Sequence, residues 1–206
     1  MNNKVKSKIS NLKHIDHGKY IVDKIKYINY NLKNPNVKEK EYIKDNSLAV
    51  ENQRLSYIQI IYNNNKIIYF TTPKMFCPFG LNKNTNIMNL QFTNYKTDAH
   101  MKSFFEFIQN IEFQQMEQID LKENNIDLYK SQIQFDKKGV YDPTLILKLP
   151  FNYNKYDIDI YNDKYPITIY NIQKYMNMTC DIYIDKIWLF NDNYICKWKI
   201  RNIFVH

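Results

Sequence analysis

Lys197, Lys199 and Arg201 stand at every second position of KWKIR, with Trp198 and Ile200 between them. In an extended strand successive side chains point to opposite faces, so the three cations share one face and the Trp and Ile share the other. Spaced about 6–7 Å apart along the strand, such cations match the repeat of a single-strand phosphate backbone, which is the chemistry of electrostatic tracking rather than of bond making. A solvated strand face over an aromatic core is the plainer alternative. In the preceding run, Lys186 shares a face with Trp188, which favours binding.

A second segment, FTTPKMFCPFG from Phe70 to Gly80, reads as a strand entering a turn stiffened by Pro73 and Pro78. Lys74, Phe76 and Phe79 sit in that turn. Aromatic rings held on a stiff basic loop can stack on bases, each stack contributing about 1–3 kcal/mol without demanding a particular sequence. Alternatively Phe76 and Phe79 plug the end of a barrel, and Gly80 merely permits the turn.

Catalytic chemistry is poorly represented. His14-Ile15-Asp16-His17 resembles a metal pair but has no third ligand near it in sequence. Asp157, Asp159 and Asp163 could hold a divalent ion for nuclease chemistry, yet their alternation more simply marks a solvated face. With three glycines in the chain, Gly18, Gly80 and Gly139, a Gly-rich phosphate loop is excluded. Cys77 beside Lys74 has no His near it to act as a base. A protein without catalytic residues, metal or cofactor is expected.

The elements that must position these residues follow from periodicity. Lys19–Asn29 reads as a strand, and 31–53 as a charged connector containing Pro35. Leu55–Tyr62 and Lys66–Thr72 flank Asn63-Asn64-Asn65 and predict a hairpin. Further strands are expected at Ile87–Phe92, Leu128–Phe135, Thr144–Leu149, Asp157–Tyr161, Thr179–Phe190 and Tyr194–Val205, the last two forming a closing hairpin. Between Thr97 and Ile119 the period changes: Met101, Phe104, Phe105, Ile108 and Ile111 follow helical spacing. The expected fold is mainly β (α+β), an OB-like antiparallel barrel with one inserted amphipathic helix. Residues 1–18 form a basic, mobile arm, and 19–206 a single nucleic-acid-binding domain.

Composition bounds the partner. Lys plus Arg number 29 and Asp plus Glu 21, a formal charge of +8 that favours a polyanion. Asn, Lys, Ile and Tyr load the whole chain, however, so the position of the charges says more than their sum. Three cysteines without paired spacing fit a reduced, intracellular setting. No apolar run approaches a membrane span and the basic N-terminus lacks an apolar core, so a soluble protein without membrane contact is expected.

The succession of a hairpin, TTPKM followed shortly by FG, the strand NLQF, a helix with FFEFI, the segment YDPTLILKLPF and a terminal IWLFNDNYICKWKIRNIFV resembles the OB-fold single-stranded DNA-binding proteins of large eukaryotic DNA viruses, relatives of a phage replication protein. The resemblance covers about Leu55 to Val205. It implies a non-catalytic coat for single-stranded DNA in viral replication, recombination and repair, in a viral factory of the host cytoplasm or in the nucleus. It also implies a replication polymerase or helicase as partner, and leaves a homo-oligomer open. The phage relatives end in an acidic tail that recruits partners, whereas this sequence ends IRNIFVH. Before the Trp of the last strand family members often have Gly, where this chain reads Ile195-Cys196-Lys197-Trp198.

The expected binding face joins Lys74, Lys148, Lys186, Lys197, Lys199 and Arg201, which track phosphates, to Tyr69, Phe76, Phe79 and Trp188, which stack on bases. Lys4, Lys6, Lys8 and Lys13 of the arm add sequence-independent attraction. Three rivals remain: a scaffolding protein of a viral particle or replication compartment, an RNA-binding OB protein, and a nuclease using Asp157 and Asp159.

Overall fold

Short runs of alternating burial build most of this molecule. Ile67–Thr71, Ile87–Gln91 and Thr144–Lys148 each bury every second side chain, the pattern of strands with one face on a core. The computed structural model describes residues 12–19, 25–31, 56–62, 67–163 and 165–206. In chain order the strands are β1 (Leu12–His14), β2 (Ile25–Asn31), β3 (Ser56–Tyr62), β4 (Ile67–Thr71), β5 (Met75–Cys77), β6 (Leu81–Asn82), β7 (Ile87–Gln91), β8 (Ile133–Gln134), β9 (Thr144–Lys148), β10 (Phe151–Asn152), β11 (Lys155–Tyr156), β12 (Asp159–Asn162), β13 (Tyr165–Pro166), β14 (Met176–Tyr183), β15 (Lys186–Phe190), β16 (Asn193–Cys196) and β17 (Trp198–Val205). A single α-helix among the described residues, α1 (Ala99–Gln118), lies between β7 and β8.

The long sheet is organised around β14, which pairs antiparallel with β4, β5 and β17. β5 meets β7 at one register pair, Phe76 opposite Gln91. β7 runs antiparallel to β9 over its full length, and β9 meets β17 in parallel, Leu147 opposite Trp198 and Lys148 opposite Lys199. Pairing therefore passes from β14 through β5, β7, β9 and β17 back to β14. β1 joins β4 in parallel, β12 joins β17 in parallel, and β13, β6 and β8 border β12, β7 and β9. A second sheet has the order β16-β15-β3-β2, all antiparallel.

Four expectations are corrected. The sheet is mixed rather than antiparallel, because residues 149–197 supply the long crossover that a parallel pair such as β9 and β17 requires. The two runs around Asn63–Asn65 are not a hairpin: β3 pairs with β15 while β4 pairs with β14, both antiparallel. They run in the same direction along successive parts of one long hairpin; Asn63–Asn65 lie outside the described residues. The arm is ordered before residue 18, since Leu12–His14 already pairs with Ile67–Tyr69; Lys4, Lys6 and Lys8 lie outside the described residues. Of the strand expected over Lys19–Asn29, residues 20–24 lie outside the described residues and β2 covers the rest, running on to Asn31, while the strand expected over Leu128–Phe135 shrinks to β8, with short 3-10 turns at His17–Lys19 and Ile126–Leu128. The connector at 31–53 lies outside the described residues apart from Asn31, the last residue of β2.

The closing hairpin is present. β14 and β15 run out, Asn191 and Asp192 turn with φ of 47° and 58°, and β16 and β17 return. Positive φ at both central residues is the geometry of the tight turn whose twist matches paired strands.

The helix is legible in its own sequence. The Asp98 side chain accepts the Met101 N–H at 2.9 Å and caps the first turn. Met101, Phe104, Phe105, Phe107, Ile108 and Ile111 then bury one stripe. Phe107 meets Phe70 edge-on at 4.8 Å, and Trp198 lies 6.3 Å from Phe70. The helix thus packs against the buried faces of β4 and β17, each fully buried ring contributing about 1.5–3 kcal/mol. Side chains from both sheets, such as Ile60, Ile187 and Cys196, belong to the same core.

Candidate nucleic-acid interface

Residues opposite each other in register share a face of the sheet. The pairings therefore align His14, Tyr69, Tyr183, Lys199 and Lys148 in one row across β1, β4, β14, β17 and β9. One position further, Phe70, Ile182 and Ile200 point into the core. The alternation read from KWKIR holds for Trp198 to Arg201, and Lys197 is exposed in the break between β16 and β17.

Beyond Arg201 the alternation fails. Asp181 faces Asn202 and Ile182 faces Ile200, so Arg201 is the extra residue of a bulge. Arg201 and Asn202 are consequently both partly exposed, and the guanidinium lies 4.5 Å from the centre of the Tyr69 ring. Beside it, the Asp181 carboxylate accepts bonds from Thr71 and Asn202, each 2.7 Å long, and His14 Nε2 stands 3.0 Å from the Thr71 hydroxyl.

Lys199 departs from its expected role as a free cation. Its ammonium donates to both carboxylate oxygens of Asp185 at 2.7 Å, with the side chains 24% and 18% exposed. Lys148 donates to the Thr85 carbonyl. Partial burial, and next the like charge of Lys197, lower its pKa. Two cations so placed gain from a bound anion. In the second sheet, the Lys186 ammonium lies 4.3 Å from the Tyr57 ring centre and 5.3 Å from that of Trp188. The shared face expected for Lys186 and Trp188 is present, and its cation already rests on rings.

A further grouping of rings and cations lies where the turn after β5 meets the segment before β14. Gly80, at φ +66°, has backbone so near its neighbours that a Cβ would come within 3.1 Å of the Lys174 nitrogen and 3.2 Å of the Gln173 carbonyl carbon. Gly80 thus does more than permit a turn: it lets two loops touch. The Tyr175 N–H donates to the Cys77 carbonyl at 2.8 Å, and Phe76 stacks on Tyr175 at 6.2 Å with 23° between the planes. Lys83 lies 4.8 Å from the ring centre of Tyr170, and the Tyr156 hydroxyl donates to Asn86 at 2.8 Å. Phe79, Tyr170, Tyr175 and Lys74 are exposed and Phe76 is half-buried. Exposed rings beside ammonium groups can stack on bases while the cations pair with phosphates.

Of the residues in this loop cluster, the sequence reading named Lys74, Phe76 and Phe79 and did not name Lys83, Tyr170 or Tyr175. The pattern QKYM around Lys174 and Tyr175 mixes basic and aromatic residues much as PKMF does, and was the one available signal. The structure does not draw all ten expected residues into one patch. Tyr69 and Arg201 pair on the long sheet, Lys186 and Trp188 on the second sheet, and Lys74, Phe76 and Phe79 gather at the loops.

The catalytic candidates have other surroundings. His17 packs on Phe104 at 5.6 Å and on His100 and Phe107 at 5.8 Å; burial lowers its pKa, against the pull of Asp16. Burial pushes the Cys77 thiol up to about 11, and Cys180 and Cys196 are buried as well. Asp157 and Asp159 are exposed. Among the described residues, no group of three or more His, Cys, Asp or Glu could hold a metal ion, and no helix is long and apolar enough to cross a membrane. No family model matches this chain, and no curated protein matches it.

Proposed function

We propose that this chain binds single-stranded DNA without sequence preference, as a non-catalytic coat in DNA replication, recombination and repair of the kind its viral look-alikes provide. The carrying observation is the loop cluster in which Phe76 stacks on Tyr175 and Lys83 lies over Tyr170, with Phe79 and Lys74 exposed beside them. In this reading the pairing circuit of β4 and β5 with β7, β9, β17 and β14 is an OB-like barrel. The turn between β5 and β7 and the hairpin β15–β16 are then the two loops with which such barrels grip oligonucleotides. Arg201 over Tyr69 and Lys186 over Tyr57 and Trp188 extend the grip, because a cation resting on a ring can turn to a phosphate and free the ring for a base.

The test is fluorescence anisotropy with labelled single-stranded DNA, double-stranded DNA and single-stranded RNA of equal length at two salt concentrations. Preference for single-stranded DNA that weakens steeply with salt is expected. Preference for RNA moves the proposal to an RNA partner. Absence of binding to all three at low salt refutes it.

A further inference from the structure

A second group of basic and aromatic side chains lies beyond the other end of β9 from Lys148. The Asp136 carboxylate accepts the N–H groups of Val140 at 2.9 Å and Tyr141 at 3.3 Å, while its carbonyl accepts the Gly139 N–H at 3.0 Å. Gly139 adopts φ +66°, the left-handed step that closes this turn. Residues 136–141 are therefore shaped by their own backbone bonds and leave their side chains uncommitted. Val140 is 69% and Tyr141 71% exposed, and Lys137 and Lys138 are exposed beside them.

The neighbouring turn adds to the group. The Asn94 N–H donates to the Asp142 carboxylate at 2.6 Å, tying the turn before α1 to this one, and Lys96 lies over the Tyr95 ring. Three carboxylates occur here, and each is engaged by backbone: Asp98 by Met101, Asp136 by Val140 and Tyr141, Asp142 by Asn94. Among the described residues none of Lys96, Lys137 and Lys138 is within ion-pair distance of a carboxylate. At long range the charges cancel, so this group attracts an anion only on contact.

We propose that the 136–141 turn is a second foothold for the same strand, with Tyr141 stacking on a base and Lys137 and Lys138 meeting adjacent phosphates. The inference rests on the single-stranded DNA reading. Between the footholds run the half-buried outer positions of β7 and β9, Asn89, Gln91, Thr144 and Ile146, which carry no charge to repel a strand. At a rise of about 3.3 Å per residue, Thr144 to Lys148 covers about 13 Å, some two nucleotides of extended strand. A lipid surface is the weaker match, since one Val and one Tyr offer little apolar area to a bilayer.

The full chain, Tyr141→Ala and the double variant Lys137→Glu/Lys138→Glu are titrated with oligothymidylates of about 4 and about 16 nucleotides, the range of single-strand site sizes. The expected result is a loss of about five- to tenfold on the long oligonucleotide and none on the short one, with the thermal midpoint unchanged. Equal affinity of Tyr141→Ala and the parent chain for both lengths overturns the foothold and leaves the DNA reading standing. An equal loss on both lengths also overturns it, because Tyr141 would then act through the loop cluster. If the parent chain binds neither length, the DNA reading itself has failed. Binding to phosphatidylserine vesicles that Tyr141→Ala abolishes, with DNA affinity unchanged, reassigns the turn to lipid.

Discussion

Asp185→Asn separates the structural from the functional share of Lys199. The ion pair is bidentate at 2.7 Å and its side chains are 24% and 18% exposed, so it lies between two regimes. Exposed pairs contribute about 0–1 kcal/mol, and breaking a buried one costs about 3–5 kcal/mol. A loss of about 2 kcal/mol is expected, which for a chain of this length lowers the thermal midpoint by about 4–8 °C. DNA affinity should move the other way. Single strands lose affinity with a slope of about −0.7 per neutralised phosphate, so one freed cation strengthens binding about fivefold at 0.1 M salt. Calorimetry and anisotropy on the same preparation read both effects. If Asp185→Asn/Lys199→Met, whose net charge equals the parent's, keeps the fivefold gain, the gain comes from removing the Asp185 carboxylate, and Lys199 does not meet phosphate. If the single variant gains nothing, Lys199 lies off the path of the strand.

Other perturbations read other parts of the structure. Tyr175→Ala removes an exposed ring stacked on Phe76 and should weaken single-stranded DNA binding by about 1–3 kcal/mol while barely changing the thermal midpoint. Gly80→Ala forces a Cβ against the backbone of Gln173 and Lys174 at positive φ, and should cost about 2 kcal/mol in chemical denaturation. Glu112 is buried on α1, where burial raises its pKa from 4.5 against the opposing bonds from Ser131 and Gln132. The folded protein keeps a proton that the unfolded chain releases, so stability present below pH 4.5 is lost as pH rises through the raised value. Glu112→Gln can keep both bonds, and urea titrations across that window should show the decline gone.

Local signals carried the helix and the last strand. The helical spacing from Met101 to Ile111, with Asp98 ahead of it, names α1 almost to the residue, because cap and stripe are both local. Alternation in KWKIR is local too, but the bulge at Arg201 depends on the register against β14, and no single strand encodes that. The same limit explains Lys199: its partner Asp185 comes from the outgoing arm of the hairpin, and only folding brings them together. The hairpin expected from Leu55–Tyr62 and Lys66–Thr72 failed because strand partners are chosen over long range: β3 pairs with β15 and β4 with β14. Tyr170 and Tyr175 were hidden because their segment has no period. They reach Lys83 and Phe76 through the close approach at Gly80, a long-range event.

The circuit of strands is unevenly joined. β14 and β17 are zipped over most of their length, but β5 holds β7 at one register pair and β9 holds β17 at two. Cooperative opening begins where the fewest bonds must break. The amide hydrogen of Gln91, which points away from β9 toward the single pair with β5, should therefore exchange ahead of those along β14. Both weak joints adjoin β7 and β9, so these two strands are the first to part from β5 and β17. If the chain coats single-stranded DNA as proposed, such joints give it a place to yield to a long polymer without unfolding.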